Sequence, residues 1–251
     1  MRAAFPQGRA WIELDQAALR HNVQQLRSIL PEGCALMPAV KANAYGHGAV
    51  LAAKELNRLG IMAFCVATAT EGAELRRGGI KGEILVLGYT HPEQFSVLRR
   101  YRLTQTVVDI SYARLLNACG KKLKVHLKID TGMHRLGIPT DRKEEIARVF
   151  HYRNLVITGI FTHLCAADVR TAEKEQFTMG QAAAFDHVIC DLNKRGLNCG
   201  KIHLLFSDGL LQYPELAGDY ARVGIALYGV LSQGADMESL RLFWLRSSGG
   251  K

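Results

Sequence analysis

Apolar positions along the chain fall into two alternating patterns. After Asp15, a residue type that caps helices, the stretch QAALRHNVQQLRSIL places Ala18, Leu19, Val23, Leu26 and Ile29 at helical spacing. A short apolar run, CALMPAVK, follows. Next comes AVLAAKELNRLG, an amphipathic segment closed by Gly60 at a C′ position. The alternation then repeats. Apolar runs predict strands over 35–41, 63–68, 83–89, 104–109, 124–131, 156–164, 202–207 and 221–229. Helical patterns lie between most of them, over 70–78, 92–100, 111–119, 141–151 and 171–195. Strands that are apolar throughout and separated by helices call for a parallel sheet covered by helices. Eight such repeats in 251 residues predict an α/β fold, a (β/α)8 TIM barrel, rather than an open doubly wound sheet.

Composition narrows the function classes. A hydrophobic fraction of 48% with 22% charged residues belongs to a folded globular chain. The net charge of +9 favours anionic ligands. Its basic residues are dispersed in pairs such as Arg76-Arg77, Arg99-Arg100 and Lys121-Lys122, mostly inside candidate helices, so solvated helix faces are expected and a nucleic-acid partner is not. The six cysteines form no CxxC pair and no metal-ligand spacing, which predicts reduced thiols and no metal. Residues 1–8 carry no signal-peptide pattern, and no run approaches the ~20 apolar residues of a spanning helix. A cytoplasmic protein without a membrane partner is expected.

In a barrel of this kind the chemistry collects at the C-terminal ends of the strands. Lys41 ends the first predicted strand, and KIDTGMHRLG carries Lys128, Asp130 and Arg135 at the fifth. Thr162 and His163 end the sixth. Ser207 ends the seventh, which contains His203, and Arg222 and Gly224 lie in the eighth. Taken singly, each has a structural reading: a solvated lysine leaving the core, a core histidine, a buried ion-pair arginine. Their shared rim predicts a pocket for an anionic, phosphorylated ligand, with Gly224 and the SDG stretch at 207–209 allowing close backbone approach. A lysine facing such a pocket would be partly desolvated among cations, which favours the neutral amine, a nucleophile toward aldehydes. Among phosphorylated aldehydes, pyridoxal 5′-phosphate is the cofactor such a site would hold.

Four stretches are specific enough to carry a family resemblance: AVKANAYGHG (39–48), KIDTGMHRLG (128–137), FTHLCAAD (161–168) and YARVGIALYG (220–229). Together, and in this order, they resemble the barrel domain of alanine racemase, a fold-type III pyridoxal-phosphate enzyme. The resemblance runs from RAWIELDQAALRHN at residue 9 to about Leu231, giving a predicted cofactor-binding barrel domain over 9–231. THLCAAD and GLLQYPELAGDYARVGIALYGVLS also resemble the racemase half of membrane-bound serine/alanine racemases linked to vancomycin resistance.

The resemblance implies that Lys41 is both the Schiff-base lysine and the base on the D face. It implies that Tyr45, Ser207 and the backbone around Gly224 and Ile225 hold the phosphate. Arg135 would sit by the ring oxygen and the substrate carboxylate, and Lys128 matches a position that is carbamylated in some members. His163 would lie against the cofactor ring, and His203 would orient Arg222 toward the pyridine nitrogen. A guanidinium there leaves that nitrogen unprotonated, which favours racemisation over transamination. The implied reaction is interconversion of L- and D-alanine, with serine as a second candidate, by a homodimer supplying D-alanine for peptidoglycan precursors.

Two departures stand out. Phe206 occupies a position where the family usually has a small polar residue, often asparagine, so one polar contact of ~1 kcal/mol near the phosphate is lost. Residues 232–251, ending in LRLFWLRSSGGK, do not resemble the expected continuation into a β-rich domain whose tyrosine supplies the second base across the dimer. They are read as a truncated or frame-shifted tail, which predicts impaired turnover and puts the dimer in doubt. The competing readings are a single-domain pyridoxal-phosphate carrier without turnover, and a phosphate-ester barrel enzyme that uses a lysine and no cofactor.

Overall fold

Asp15 caps the first helix, Gln16–Ser28, by accepting the backbone N–H groups of Ala17 and Ala18 at 2.8 and 3.0 Å. Ala18, Leu19, Val23 and Leu26 are buried, as their spacing predicts. The structure, a computed structural model, describes residues 14–231. The aberrant tail inferred for 232–251, and the predicted domain start at residue 9, lie outside the described residues.

Nine strands follow: β1 Ala35–Leu36, β2 Ala63–Val66, β3 Glu83–Val86, β4 Thr104–Val107, β5 Leu123–Asp130, β6 Ile138–Pro139, β7 Leu155–Phe161, β8 Lys201–His203 and β9 Tyr220–Ala221. All pair in parallel, in the order β2-β3-β4-β5-β7-β8, with β9 on β1 and the short β6 appended to β5. Single bridges between Ala39 and Cys65 and between Phe206 and Arg222 join β1 to β2 and β8 to β9. The ring thereby closes on eight strands, and the predicted (β/α)8 barrel is the fold observed. Helices Ala49–Arg58, Ala69–Arg77, Phe95–Arg100, Ile110–Ala118, Lys143–Val149 and Ala172–Lys194 lie between the strands. Asn22, on the first helix, donates to the carbonyl of Leu227 at 3.1 Å and ties that helix to the turn Ile225–Tyr228.

Seven of the strands are shorter than predicted, and for three of them the physical reason is visible. β1 stops before Pro38, which has no N–H to give a ladder. Its pairing continues only as separate bonds from Met37 N–H to Ala221 O and from Ala39 N–H to Val223 O. β8 ends at His203 because the carbonyls of His203 and Leu204 accept from the Arg222 guanidinium. The helix Ser207–Gln212 then begins at the last residue of the predicted strand. β9 ends at Ala221 because Gly224, at φ −113° and ψ −105°, turns the chain out of strand geometry.

The inward and outward faces of the strands differ in character. Val125, Leu127 and Ile129 of β5 face the large core shared with the helices, while His126 and Lys128, also buried, fall on the opposite face. That inner face holds a small apolar cluster of Met37, Ala39, Ala63, Cys65, Leu85 and Phe161. The barrel interior is therefore part apolar and part polar, and its polar part carries His126, Lys128, His203 and Arg222. Among the described residues no helix is long and apolar enough to cross a membrane.

Candidate active site

Lys41 leaves the barrel into an unusual turn. Ala42, Asn43, Ala44 and Tyr45 all have positive φ, between 48° and 54°, so the segment after Lys41 winds as one left-handed turn of non-glycine residues. Left-handed geometry costs roughly 1–2 kcal/mol per such residue, so the surroundings must over-determine it. They do so with hydrogen bonds. Ala44 N–H reaches Val40 O at 2.9 Å, Gly48 N–H reaches Asn43 O at 2.9 Å, and the Asn43 side chain accepts from Ala49 N–H at 2.8 Å. Glu71 accepts from Ala42 N–H at 2.9 Å while closing a capping box with Thr68 on the next helix. The turn brings the Tyr45 ring back under the lysine, with Lys41 Nζ 6.0 Å from its centroid.

Lys41 and Tyr45 open onto a cavity of about 300 Å³ at the C-terminal mouth of the barrel. Lys128, Arg135, His163, Ser207, Arg222, Gly224 and Ile225 line the same cavity. His203 lies beneath it, fully buried, and accepts from Arg222 Nη1 through Nδ1 at 2.6 Å. The ten residues given roles by the resemblance thus converge, nine on the cavity and His203 beneath it, while Thr162 does not line the cavity. Asp130 does not join them. Its carboxylate accepts from Gly132 N–H and His134 N–H and contacts the His134 ring, folding the loop that delivers Arg135 and Leu136 to the pocket.

The pocket has two chemically different ends. At one, Ser207 Oγ accepts from Gly224 N–H at 2.9 Å and Ala226 N–H at 3.4 Å, and a Cβ placed on Gly224 would stand 2.8 Å from the Tyr45 hydroxyl. The Tyr45 and Ser207 hydroxyls, gathered around a glycine, make this end suited to a phosphate. At the other end, Arg222 gives its two Nη atoms to the carbonyls of Thr162, His203 and Leu204 and to the His203 ring. Four of its five N–H donors are thereby spent. Nε–H remains for a ligand acceptor.

Burial and crowded positive charge shape the ionisation of the site. Burial, reinforced by Arg222 and Lys128, brings the His163 imidazole down to about 3, so it is neutral at working pH. Burial and then Arg222 bring Lys128 down to about 8, and its Nζ donates to Leu136 O at 2.8 Å. Arg222 itself falls to about 10 through burial and stays charged. Burial pushes the Cys65 thiol up to about 12. These groups fit pyridoxal 5′-phosphate: a primary amine for its aldehyde, a cradle for its phosphate, and a lone arginine donor for an unprotonated ring nitrogen.

The chain matches the family described as "Alanine racemase, N-terminal domain" over residues 14–232. It belongs to that family. An amino-acid racemase of Enterococcus faecalis is 41% identical over 228 residues, covering 91% of this chain and 32% of the relative. A serine/alanine racemase of Enterococcus gallinarum is 42% identical over 227 residues, covering 90% and 32%. Among solved structures, the alanine racemase of Clostridium difficile 630 superposes with a TM-score of 0.88 at 31% identity, covering 97% of this chain and 64% of that one. The chain spans about a third of the length of the first curated relatives it matches.

Several contributors escaped the sequence reading. Glu71 was visible only as the fourth residue of a Thr-x-x-Glu capping pattern, with nothing to announce its bond to Ala42. Cys65 and Phe161 line the pocket from strand positions that look like any other buried strand residue, and Leu87 from just past the end of β3.

Proposed function

We propose that this chain binds pyridoxal 5′-phosphate at Lys41 and acts on alanine, with serine as a second substrate, as an amino-acid racemase. The observation that carries this reading is the arrangement on one 300 Å³ pocket of a lysine amine, a phosphate cradle and an arginine whose one free donor is Nε–H. When bound, the cofactor would supply an electron-withdrawing ring conjugated to the substrate amine, acidifying its Cα proton. Tyr45 and Ser207, whose oxygen takes the N–H groups of Gly224 and Ala226, would hold the phosphate through their hydroxyls, with the backbone around Gly224 and Ile225 completing the cradle. Arg222, oriented by His203, would meet the ring nitrogen and keep it unprotonated. The neutral His163 ring packs against the cofactor face, while Arg135 takes the substrate carboxylate.

Lys41 is the base that removes and returns the Cα proton on the D face. Other described groups in the pocket are poor candidates for the opposite face. Tyr45 serves the phosphate, Cys65 and His163 are held out of range by burial, Asp208 is buried with a partner of its own, and Lys128 is bonded to Leu136. With the described groups alone, proton exchange therefore outpaces inversion. Positioned acid–base groups contribute about 10²–10⁴ each, so racemisation without a partner base falls by a factor of that order. The six free thiols support a reducing cytoplasm as its compartment. A homodimer is the assembly expected of the family.

The test is α-proton exchange of D-alanine in D₂O with cofactor-loaded protein, with Lys41→Ala as the control. Deuterium confined to D-alanine is the expected result, and deuterated L-alanine would reveal a working second base. No exchange despite cofactor absorbance would replace the racemase reading with a carrier. No cofactor absorbance at all would remove the pyridoxal-phosphate reading.

A further inference from the structure

The hydrogen bonds beneath the pocket do not stop at His203. An arginine donates and never accepts, so the 2.6 Å contact from Arg222 Nη1 makes His203 Nδ1 the acceptor and leaves the His203 proton on Nε2. That proton faces His126 Nδ1 at 3.0 Å. To accept it, Nδ1 of His126 must be bare, which puts the His126 proton on Nε2 as well. His126 Nε2 is buried, has no well-aligned hydrogen-bond partner, and stands 3.2 Å from Glu83 Oε1, which approaches off its N–H axis. Thr104 Oγ1 donates to the same carboxylate oxygen at 2.9 Å.

Each link is held by packing. His126 leaves no room for a side chain at position 159: a Cβ on Gly159 would lie 2.6 Å from its ring. The His203 ring stacks on Phe161 at 4.8 Å with an interplanar angle of 5°. Glu83, on the first residue of β3, sits at the N-terminal mouth of the barrel, beside Tyr220 and the exposed Lys124. Burial acts to raise its carboxyl and the contacts from His126 and Thr104 more than offset this, so it is held below the usual carboxylate range. A cation at the pocket floor is thus joined, through two neutral imidazoles whose protons all point the same way, to an anion at the other end of the barrel.

We propose that His126 and Glu83, neither of which touches the pocket, are positioning residues for Arg222, forming with His203 a one-way relay that holds the guanidinium with its Nε–H facing the pocket. The relay follows from the hydrogen-bond directions alone. Only the identity of the group that Nε–H meets rests on the pyridoxal-phosphate reading. The relay also explains why a fully buried arginine is tolerated: the aligned dipoles of two imidazoles oppose its charge, and Glu83 ends the chain with a compensating one.

Long-range proton–nitrogen spectra of the cofactor-free full chain, labelled at histidine, test the relay directly. Both His203 and His126 are expected as Nε2–H tautomers. Glu83→Leu should leave both tautomers in place, since the Arg222 bond alone fixes them, but shift the His126 Nε2 resonance, and Glu83→Gln, which keeps an oxygen in place, should restore the original shift. Titration with pyridoxal 5′-phosphate should then show affinity about ten-fold weaker in Glu83→Leu and within about two-fold of the parent in Glu83→Gln, since a misdirected Arg222 loses one charged hydrogen bond. A His203 proton found on Nδ1 overturns the proposal, and so does a Glu83→Leu protein with an unchanged His126 Nε2 resonance and unchanged affinity. If Glu83→Leu does not fold, His126→Asn serves in its place, its Oδ1 accepting from His203 while the link to Glu83 is cut; unchanged cofactor affinity there overturns the positioning role. Failure of the parent protein to bind the cofactor, with both tautomers as stated, would strike the functional reading and leave the relay intact.

Discussion

The backbone N–H of Gly224 donates to the hydroxyl of Ser207 at 2.9 Å, across a gap of 17 residues and between the last two βα units. The same hydroxyl takes Ala226 N–H at 3.4 Å, so one serine gathers the donors of a turn that would otherwise point into the pocket unpaired. The cradle is thus pre-organised before any anion arrives.

Gly224 is constrained by space. A Cβ there would meet the Tyr45 hydroxyl at 2.8 Å, and the Tyr45 ring is itself packed 5.4 Å from that of Tyr228. Gly224→Ala should displace the hydroxyl and weaken cofactor binding by about ten-fold, the value of one hydrogen bond to a charged oxygen. Tyr45→Phe should weaken it similarly. Absorbance titration of both variants and the double variant should give strongly non-additive losses, because both act on one hydroxyl.

The left-handed turn makes an opposite prediction about stability. Ala42 is exposed at φ 48°, and Ala44 is fully buried at φ 54°. Ala42→Gly relieves steric cost of roughly 1–2 kcal/mol and adds about 0.5–1 kcal/mol of chain entropy to the unfolded state, for a small net gain. Ala42→Val introduces a β-branched side chain that left-handed geometry excludes, and should destabilise by about 2 kcal/mol. Urea unfolding of the pair should give midpoints on opposite sides of the parent.

Sequence pattern revealed the barrel and the pocket rim because both are written in composition: apolar runs mark strands, and polar residues that interrupt their ends mark the mouth. It could not reveal the turn after Lys41. Alanine has no side chain that announces left-handed geometry, and Asn-Ala-Tyr-Gly reads equally well as an ordinary loop. Nor could it separate the faces of β5, because a strand buried on both sides loses the alternation that distinguishes inside from outside. His126 therefore looked like one more buried strand position. Pro38 was the one legible warning that β1 would be short, since a residue without N–H breaks any ladder it enters.

His163 should govern part of the acid sensitivity. Burial, with Arg222 and Lys128 nearby, lowers it from 6.5 to about 3. The unfolded chain therefore binds more protons than the folded one between those values, and stability falls as pH drops through that window. The limiting slope is about 1.4 kcal/mol per pH unit. His163→Gln should flatten this limb in denaturant titrations at successive pH values, at the loss of the ring contact with Phe206. Because His163 stays neutral above pH 5, activity should show no ionisation near 6.5 that this substitution removes.

Lys128 works at the alkaline end, with the same sign. Its value falls from 10.5 to about 8 through burial first and the Arg222 charge second. Between pH 8 and 10.5 the unfolded chain again holds more protons, so stability should rise with pH there, and below pH 8 the full penalty of about 3 kcal/mol is present. Lys128→Met removes that penalty while losing the bond to Leu136 O, for a net gain of about 2 kcal/mol at pH 7. The same depressed value leaves a substantial neutral amine near pH 8, in reach of carbon dioxide. A carbamate formed there would replace a cation with an anion beside Arg135 and Arg222, turning repulsion into attraction. Carbon-13 bicarbonate should accordingly give a carbamate signal in the parent protein that is absent from Lys128→Met, and bicarbonate should stabilise the parent alone. A parent protein that gains no signal and no stability would show that the buried amine relieves its charge by deprotonation only.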